Sequence, residues 1–268
     1  MKQYRDGVDF VVIVFYRYEY AQLLVESIKK YVKGIDYTVH IINNGKNKGD
    51  GNGYDILCDL FENEPNVKIH KGVDQDPDSN SVHVNDYICK IDGRGVAIGS
   101  YTQTQAMDIG VRAGDRKYIC FQDADTIYLN EFIHELLPLL EDNFFVSHKW
   151  EPGIEIAKDQ CMFIKRESVE NNYLYEKDDL YPNIHYKDTC GTLTLYAKEK
   201  ELPYVILKNS FNDRSLTHEH RLNLKNGEQS YINDRPFVYH FGRGSVRQDD
   251  LYHQWMKEAS KYLGVAWK

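Results

Sequence analysis

The sequence predicts an α/β fold: a mostly parallel central sheet with helices on both faces and a less regular C-terminal half. Three observations carry that expectation. Short β-branched runs alternate with amphipathic stretches through residues 8–130, and strand, helix, strand in quick succession builds a parallel sheet covered on both sides. A hydrophobic content of 42% with 28% charged residues marks a chain that folds. At 268 residues it can bury one sizeable core, and no internal repeat, low-complexity tract or linker divides it.

The elements follow in order. Residues 8–15 (VDFVVIVF) are rich in β-branched side chains and read as a buried strand. Residues 18–32 carry apolar side chains at helical spacing, with Gly34 placed to end the helix. YTVHII, 37–42, is a second strand, stopped by Asn43-Asn44-Gly45. A glycine-rich loop leads to a helix near 53–62 and a strand at 67–70. Residues 72–99 read as irregular and polar. The stretch 98–114 is a helix closed by Gly114, and it feeds a strand at 117–122.

In the second half, a helix near 129–141 contains Pro138, which predicts a kink or an early end. Residues 144–150 and 159–167 read as strands, and 187–202 as a helix with Asp188 in N-cap position. A strand at 203–208, the segment RPFVYHFGRGS (235–245) and an amphipathic helix at 249–262 complete the chain. In such a sheet ligands bind outside the carboxyl ends of the strands, where Asn43 and Asp123 would both lie.

Composition narrows the function classes. A net charge of −8 argues against sequence-independent binding to nucleic acid or to an anionic membrane. The 21 tyrosines suit ligand-lined surfaces, and solvent-facing strands explain them equally. Five scattered cysteines without a C-x-x-C pair read as reduced thiols rather than a disulfide framework or a zinc site. The apolar run at Val8–Phe15 is too short to span a membrane and lacks a signal-peptide cleavage pattern. The expectation is a cytoplasmic protein.

Chemistry concentrates in YICFQDADTIYL, 118–129. If the run is a strand, Asp123 and Asp125 project to the same side, and two converging carboxylates can hold a divalent cation that in turn holds a diphosphate. A solvated acidic strand end is the competing reading. In HFGRGSVR, Arg243, Ser245 and Arg247 stand beside two glycines, a composition that can present backbone N–H groups and guanidinium forks to phosphate. The same segment also reads as a plain loop.

Other motifs fail on spacing. DQDPDSNS (74–81) lacks the glycine and closing Glu of a calcium loop, and GKNKGDG (45–51) lacks the Walker spacing. GRGVAIG (93–99) misses G-x-G-x-x-G, and His218-Glu219-His220 reads as a solvated loop.

The order of these features resembles the GT-A nucleotide-sugar glycosyltransferases, most closely the family 2 type. The segments that carry the resemblance are VDFVVIVFYRYEYAQLL, IINNGKNKGDG, AMDIG, FQDAD, HYKDTCGTLTLYAKEKELPYVIL and FVYHFGRGS, spanning residues 8 to about 245. It implies a Rossmann-like GT-A domain, with a nucleotide-sugar-binding half over about 1–130 and an acceptor-binding half over about 131–268. It implies a D-x-D motif in which Asp125 ligates Mn²⁺ or Mg²⁺ and Asp123 contacts the ribose or a metal-bound water, with His240 as third metal contact. A lone His is also commonly structural.

Tyr16 and Arg17, directly after the first strand, fall among the donor-binding positions. Asn43 and Asn44 stand where the family usually has an Asp that reads the uracil edge; an Asn carbonyl still accepts from a base N–H, though an Asn-Gly turn explains the pair as well. In the family the base is the second residue of an acidic pair; here the pair is Lys187-Asp188, so the resemblance implies Asp188 as general base, with His185 in reserve and a helix N-cap as the competing reading. The implied activity is hexosyl transfer, with inversion, from a nucleotide-diphosphate sugar, a UDP-sugar foremost, to a hydroxyl acceptor such as a glycan. A sugar nucleotidyltransferase and a non-catalytic nucleotide-sugar or carbohydrate-binding protein of the same fold are the rival readings.

Overall fold

The computed structural model describes residues 3–15, 17–44, 53–72, 88–91, 94–151, 155–170, 191–224, 227–242 and 249–266. The first elements match the sequence pattern: β1 (Arg5–Val14), α1 (Glu19–Tyr31), β2 (Tyr37–Asn43), α2 (Gly53–Leu60) and β3 (Val67–Lys71). Gly34, at φ +74°, takes the left-handed turn that lets the chain reverse after α1. Within the stretch read as irregular, β4 (Ile88–Ile91) and β5 (Arg94–Ala97) form an antiparallel hairpin. Its short strands carry too little alternation to reveal themselves in sequence.

Next come α3 (Ile98–Ala113), β6 (Arg116–Asp123), β7 (Thr126–Tyr128) and α4 (Ile133–Asp142). The last starts later than expected and runs through Pro138. Leu136 and Leu140 are wholly buried, and their burial offsets the lost backbone bond. The chain continues through β8 (Phe145–Ser147), β9 (Trp150–Glu151), β10 (Ile156–Ala157), β11 (Cys161–Lys165), α5 (Arg166–Glu170) and α6 (Gly191–Glu199). It closes with β12 (Val205–Ile206), β13 (Lys208–Asn209), β14 (Glu228–Ile232), β15 (Arg235–His240) and α7 (Asp249–Leu263).

Seven strands make the central sheet in the order β12-β8-β11-β6-β1-β2-β3. β11 alone runs antiparallel to its neighbours, so the mostly parallel sheet expected from the sequence is what forms. Alternation along β1 sets the two faces. Val8, Phe10, Val12 and Val14 meet Leu24 and Ile28 of α1, Leu57 of α2 and Leu136 and Leu140 of α4. Val11 faces the other way, among Ala106, Met107 and Val111 of α3 and Leu193 and Ala197 of α6. Gly110 lets α3 approach closely: a Cβ there would lie 2.5 Å from Val11 Cγ1.

A second, antiparallel sheet, β13-β14-β15-β7, stands beside the first. Residues 203–208, expected as one strand, divide between the sheets: Val205–Ile206 pairs with β8, and Lys208–Asn209 pairs with β14. α7 covers the small sheet, with Trp255 stacked 5.1 Å from Phe241 and 5.7 Å from Tyr239. Ser27 of α1 ties the layers together, donating to Leu24 O and accepting from Tyr128 N.

On the α3 face a buried polar cluster holds the amino-proximal part of the sheet. Asp9 Oδ2 accepts from Arg166 Nη2 at 2.7 Å and from Arg116 N at 2.8 Å, and Oδ1 lies 3.2 Å from His40 Nε2. Arg166 also donates to Arg116 O at 2.6 Å and to Val111 O, closing the carboxyl end of α3. A carboxylate only accepts, so His40 donates from Nε2, and its Nδ1 lies 3.0 Å from His70 Nε2. Burial would raise the Asp9 carboxyl, but the His40 bond, the Arg116 N–H and the Arg166 charge hold it below the ordinary range.

Burial, with the neighbouring His40 and Lys68, pulls the His70 imidazole down to about 4. Because the folded chain binds this proton less readily than the unfolded one, stability falls as pH drops from about 6.5 toward 4. Replacing His70 by Gln is expected to flatten that fall, as read from urea midpoints across the window. An unchanged slope would discard the assignment.

Candidate metal centre and donor site

The carboxyl ends of the parallel strands meet at one level. Ile13 of β1 is in register with Asp123 of β6, and Val14 with Asn43 of β2. Here β6 ends and the chain passes through Ala124 and Asp125 into β7, leaving the large sheet for the small one. Asp125 therefore sits in a turn, not in the strand, and the two carboxylates converge through the corner rather than through strand alternation. The corner is anchored from beneath: Tyr128 Oη donates to Gln122 Oε1 at 2.6 Å, and Gln122 Nε2 donates to Gln160 O at 2.8 Å.

β15 pairs with β7 so that His240 stands opposite Thr126, and Phe241 N donates to Asp125 O at 3.0 Å. This pairing delivers the imidazole. His240 Nε2 lies 3.3 Å from Asp125 Oδ1 and 3.5 Å from Asp123 Oδ2. One ligand atom from each of Asp123, Asp125 and His240 falls within 4.8 Å of the others. Asp125 and His240 are buried and Asp123 is partly exposed, so the cluster opens to one side.

The second layer contains residues that the sequence reading missed. His240 Nδ1 contacts Glu228 Oε1 at 2.7 Å, and Lys149 Nζ reaches the same oxygen at 2.8 Å. Gln103 of α3 donates to Asp123 Oδ1 at 3.3 Å and to Asp159 Oδ2 at 2.7 Å. His148 packs its ring 6.4 Å from that of His240, with Nδ1 2.6 Å from Ser230 Oγ, which also accepts from Asn209. All five residues of β14 are buried although three are polar, so no apolar alternation announced the strand.

Burial opposes a charged His240 ring, yet Asp125, Asp123 and Glu228 together hold its proton well above the usual histidine range. Burial would likewise raise Glu228, but the His240 bond and the charges of His240 and Lys149 bring it down to about 2. His148 goes the opposite way: burial depresses it to about 3, so it is neutral at physiological pH.

This donor set fits a divalent cation. His240 Nε2 is buried, faces two carboxylate oxygens and has no hydrogen-bond partner among the described residues. Two carboxylates with one imidazole suit Mn²⁺ better than the all-oxygen shell that Mg²⁺ prefers.

The other expected site residues are partly placed. Asn44 is buried at the end of β2, its N–H donating to Val14 O, and its Oδ1 has no hydrogen-bond partner among the described residues. Asn43 is half-buried, and its carbonyl accepts from Gly72 N. Arg17, at φ +58°, lays its guanidinium 4.5 Å from the centre of the Tyr252 ring and 2.9 Å from Asp249, so it reaches toward α7. Tyr16, His185, Asp188, Arg243, Ser245 and Arg247 lie outside the described residues. His218 is exposed, and His220 is taken up by Ser210 Oγ at 2.8 Å. Among the described residues, no helix is long and apolar enough to cross a membrane.

No protein-family model matches the sequence, and no curated protein matches it either. Similarity appears at the level of structure. The galactosyltransferase LgtC, solved with donor and acceptor sugar analogues, superposes with a TM-score of 0.57 at 12% identity, over 96% of this chain and 95% of its own. The glycosyltransferase GlyE of Streptococcus pneumoniae TIGR4 gives 0.51 at 11% identity, over 98% of this chain and 63% of its own. The mannosyltransferase PcManGT of Pyrobaculum calidifontis gives 0.49 at 11% identity, over 76% of this chain and 55% of its own. The chain thus spans between half and two thirds of the length of GlyE and PcManGT. With LgtC matched over nearly all of both chains, the fold is that of the GT-A glycosyltransferases.

Proposed function

We propose that the protein is a metal-dependent glycosyltransferase that moves a sugar from a nucleotide-diphosphate donor to a hydroxyl acceptor. The observation that carries this reading is the convergence of Asp123, Asp125 and His240 at the carboxyl ends of the parallel strands in a GT-A fold. Asp125, Asp123 and His240 would hold Mn²⁺, or Mg²⁺ with a poorer match. When bound, the ion supplies Lewis-acid stabilisation of the diphosphate leaving group.

The chain's own residues do the rest. Asn43 and Asn44 offer amide carbonyls where β2 ends, suited to accept from a base N–H. Arg17 follows β1, and Tyr16 is its neighbour in sequence. Arg243, Ser245 and Arg247 are the phosphate-facing candidates from sequence. Asp188, in this reading, takes the proton from the acceptor hydroxyl as that oxygen bonds to the anomeric carbon. The bond to the diphosphate breaks on the opposite face, its electron pair leaves with the phosphate oxygen, and configuration inverts. Asp123, Asp125 and His240 stay fixed through this exchange, so they bind and orient without trading protons with the substrate.

A panel of UDP- and GDP-sugars with and without Mn²⁺ tests the reading. A cation-dependent rise in Tm identifies the donor, and release of nucleoside diphosphate with a new glycoside identifies the reaction. Asp188→Asn is expected to lower kcat by about 100-fold or more while leaving the donor-induced shift in place. Release of pyrophosphate would instead support a nucleotidyltransferase. Donor binding without turnover toward any acceptor would support a binding protein.

A further inference from the structure

We propose that Glu228 is a positioning residue for the cation: it accepts from His240 Nδ1 and so leaves Nε2, on the side of Asp123 and Asp125, as the ring nitrogen that would take the cation. The inference rests on the reading of that triad as a metal centre and adds to it a residue from another strand. Glu228 and His240 are partners in register across β14 and β15, so the backbone pairing already places their side chains together. The Oε1–Nδ1 distance is 2.7 Å, and both side chains are more than nine-tenths buried.

An ionised carboxylate offers no proton, so Nδ1 must be the donor. The only ring nitrogen left for a ligand is then Nε2, which the ring orientation turns toward Asp125 Oδ1 at 3.3 Å and Asp123 Oδ2 at 3.5 Å. A histidine held this way is both fixed in tautomer and made a stronger donor to the metal.

Lys149 completes the arrangement. Its ammonium sits 2.8 Å from the same Glu228 oxygen and 4.3 Å from the centre of the Phe211 ring. Without it, three carboxylates would crowd around one imidazole in a buried corner. The ammonium holds Glu228 Oε1 where it meets His240 Nδ1, with the two aspartates on the far side of the ring. A bare structural role for Glu228 would need neither the alignment with His240 nor a lysine to hold it there.

The test measures Mn²⁺ binding by electron paramagnetic resonance and the ring nitrogens of His240 by ¹⁵N NMR with Mg²⁺, in the whole protein and without donor. The wild type should bind Mn²⁺ and show Nδ1 protonated and Nε2 bare at saturating Mg²⁺. Glu228→Gln keeps the volume but lets the amide donate as well as accept, so Mn²⁺ affinity should fall by about 10- to 100-fold and the His240 signals should report mixed tautomers.

Unchanged affinity in a folded E228Q overturns this inference and leaves the metal reading standing. A wild type that binds no Mn²⁺ overturns both. If E228Q does not fold, the wild-type spectrum decides: His240 protonated on Nε2 in the Mg²⁺-saturated protein refutes the role, and protonation on Nδ1 supports it.

Discussion

Replacing Asp125 by Asn is expected to weaken Mn²⁺ binding and to cut metal-supported donor turnover by about 100-fold or more. The carboxylate is buried in the corner between β6 and β7, and its own backbone carbonyl is held by Phe241 N. An amide of the same shape preserves that corner while removing the charge. Repulsion between Asp123 and Asp125 would be relieved at the same time, while His240 would lose one of the carboxylates that favour its charged form. Turnover within twofold of wild type would remove the two aspartates from the mechanism. Asp123→Asn should cost less, since Asp123 is more exposed and shares its carboxylate with Gln103.

Arg166→Met should be the most damaging of the changes to stability, about 3–5 kcal/mol by urea denaturation. The cost is that of stranding Asp9, a wholly buried carboxylate, with only His40 and one backbone N–H to satisfy it. It also frees the Val111 and Arg116 carbonyls at the end of α3. Adding Asp9→Asn to Arg166→Met should recover part of the loss, which a double-mutant cycle would register as a coupling of the two side chains. A single-variant loss under about 1 kcal/mol would mean that this cluster is not an ion-pair anchor.

The parts of the fold that the sequence disclosed are those in which burial and periodicity agree. β1, β2 and β6 are apolar runs, and α1, α3 and α7 carry their contacts at helical spacing. The D-x-D corner was legible because two acids follow a run of buried residues. What escaped was polar and buried together. β14 hides Glu228, Gln229 and Ser230 inside the protein, and Asp9 and His40 interrupt apolar strands with polar side chains. Their partners come from distant segments, as with Arg166 for Asp9 and Lys149 for Glu228, and no local pattern announces such pairs. Gln103 and Asp159 escaped for the same reason.

The pairing of β7 with β15 has a consequence for the order in which the molecule is made. Both carboxylates are made well before the imidazole, which arrives with β15. A nascent chain would carry Asp123 and Asp125 through the synthesis of every element between β7 and β15 with their corner unpaired. Docking of β15 supplies the missing nitrogen, the backbone bond to Asp125 and the Glu228 support in one step. Competence to hold a cation would then report that synthesis and folding have reached β15, rather than that the nucleotide-binding half has closed on its own.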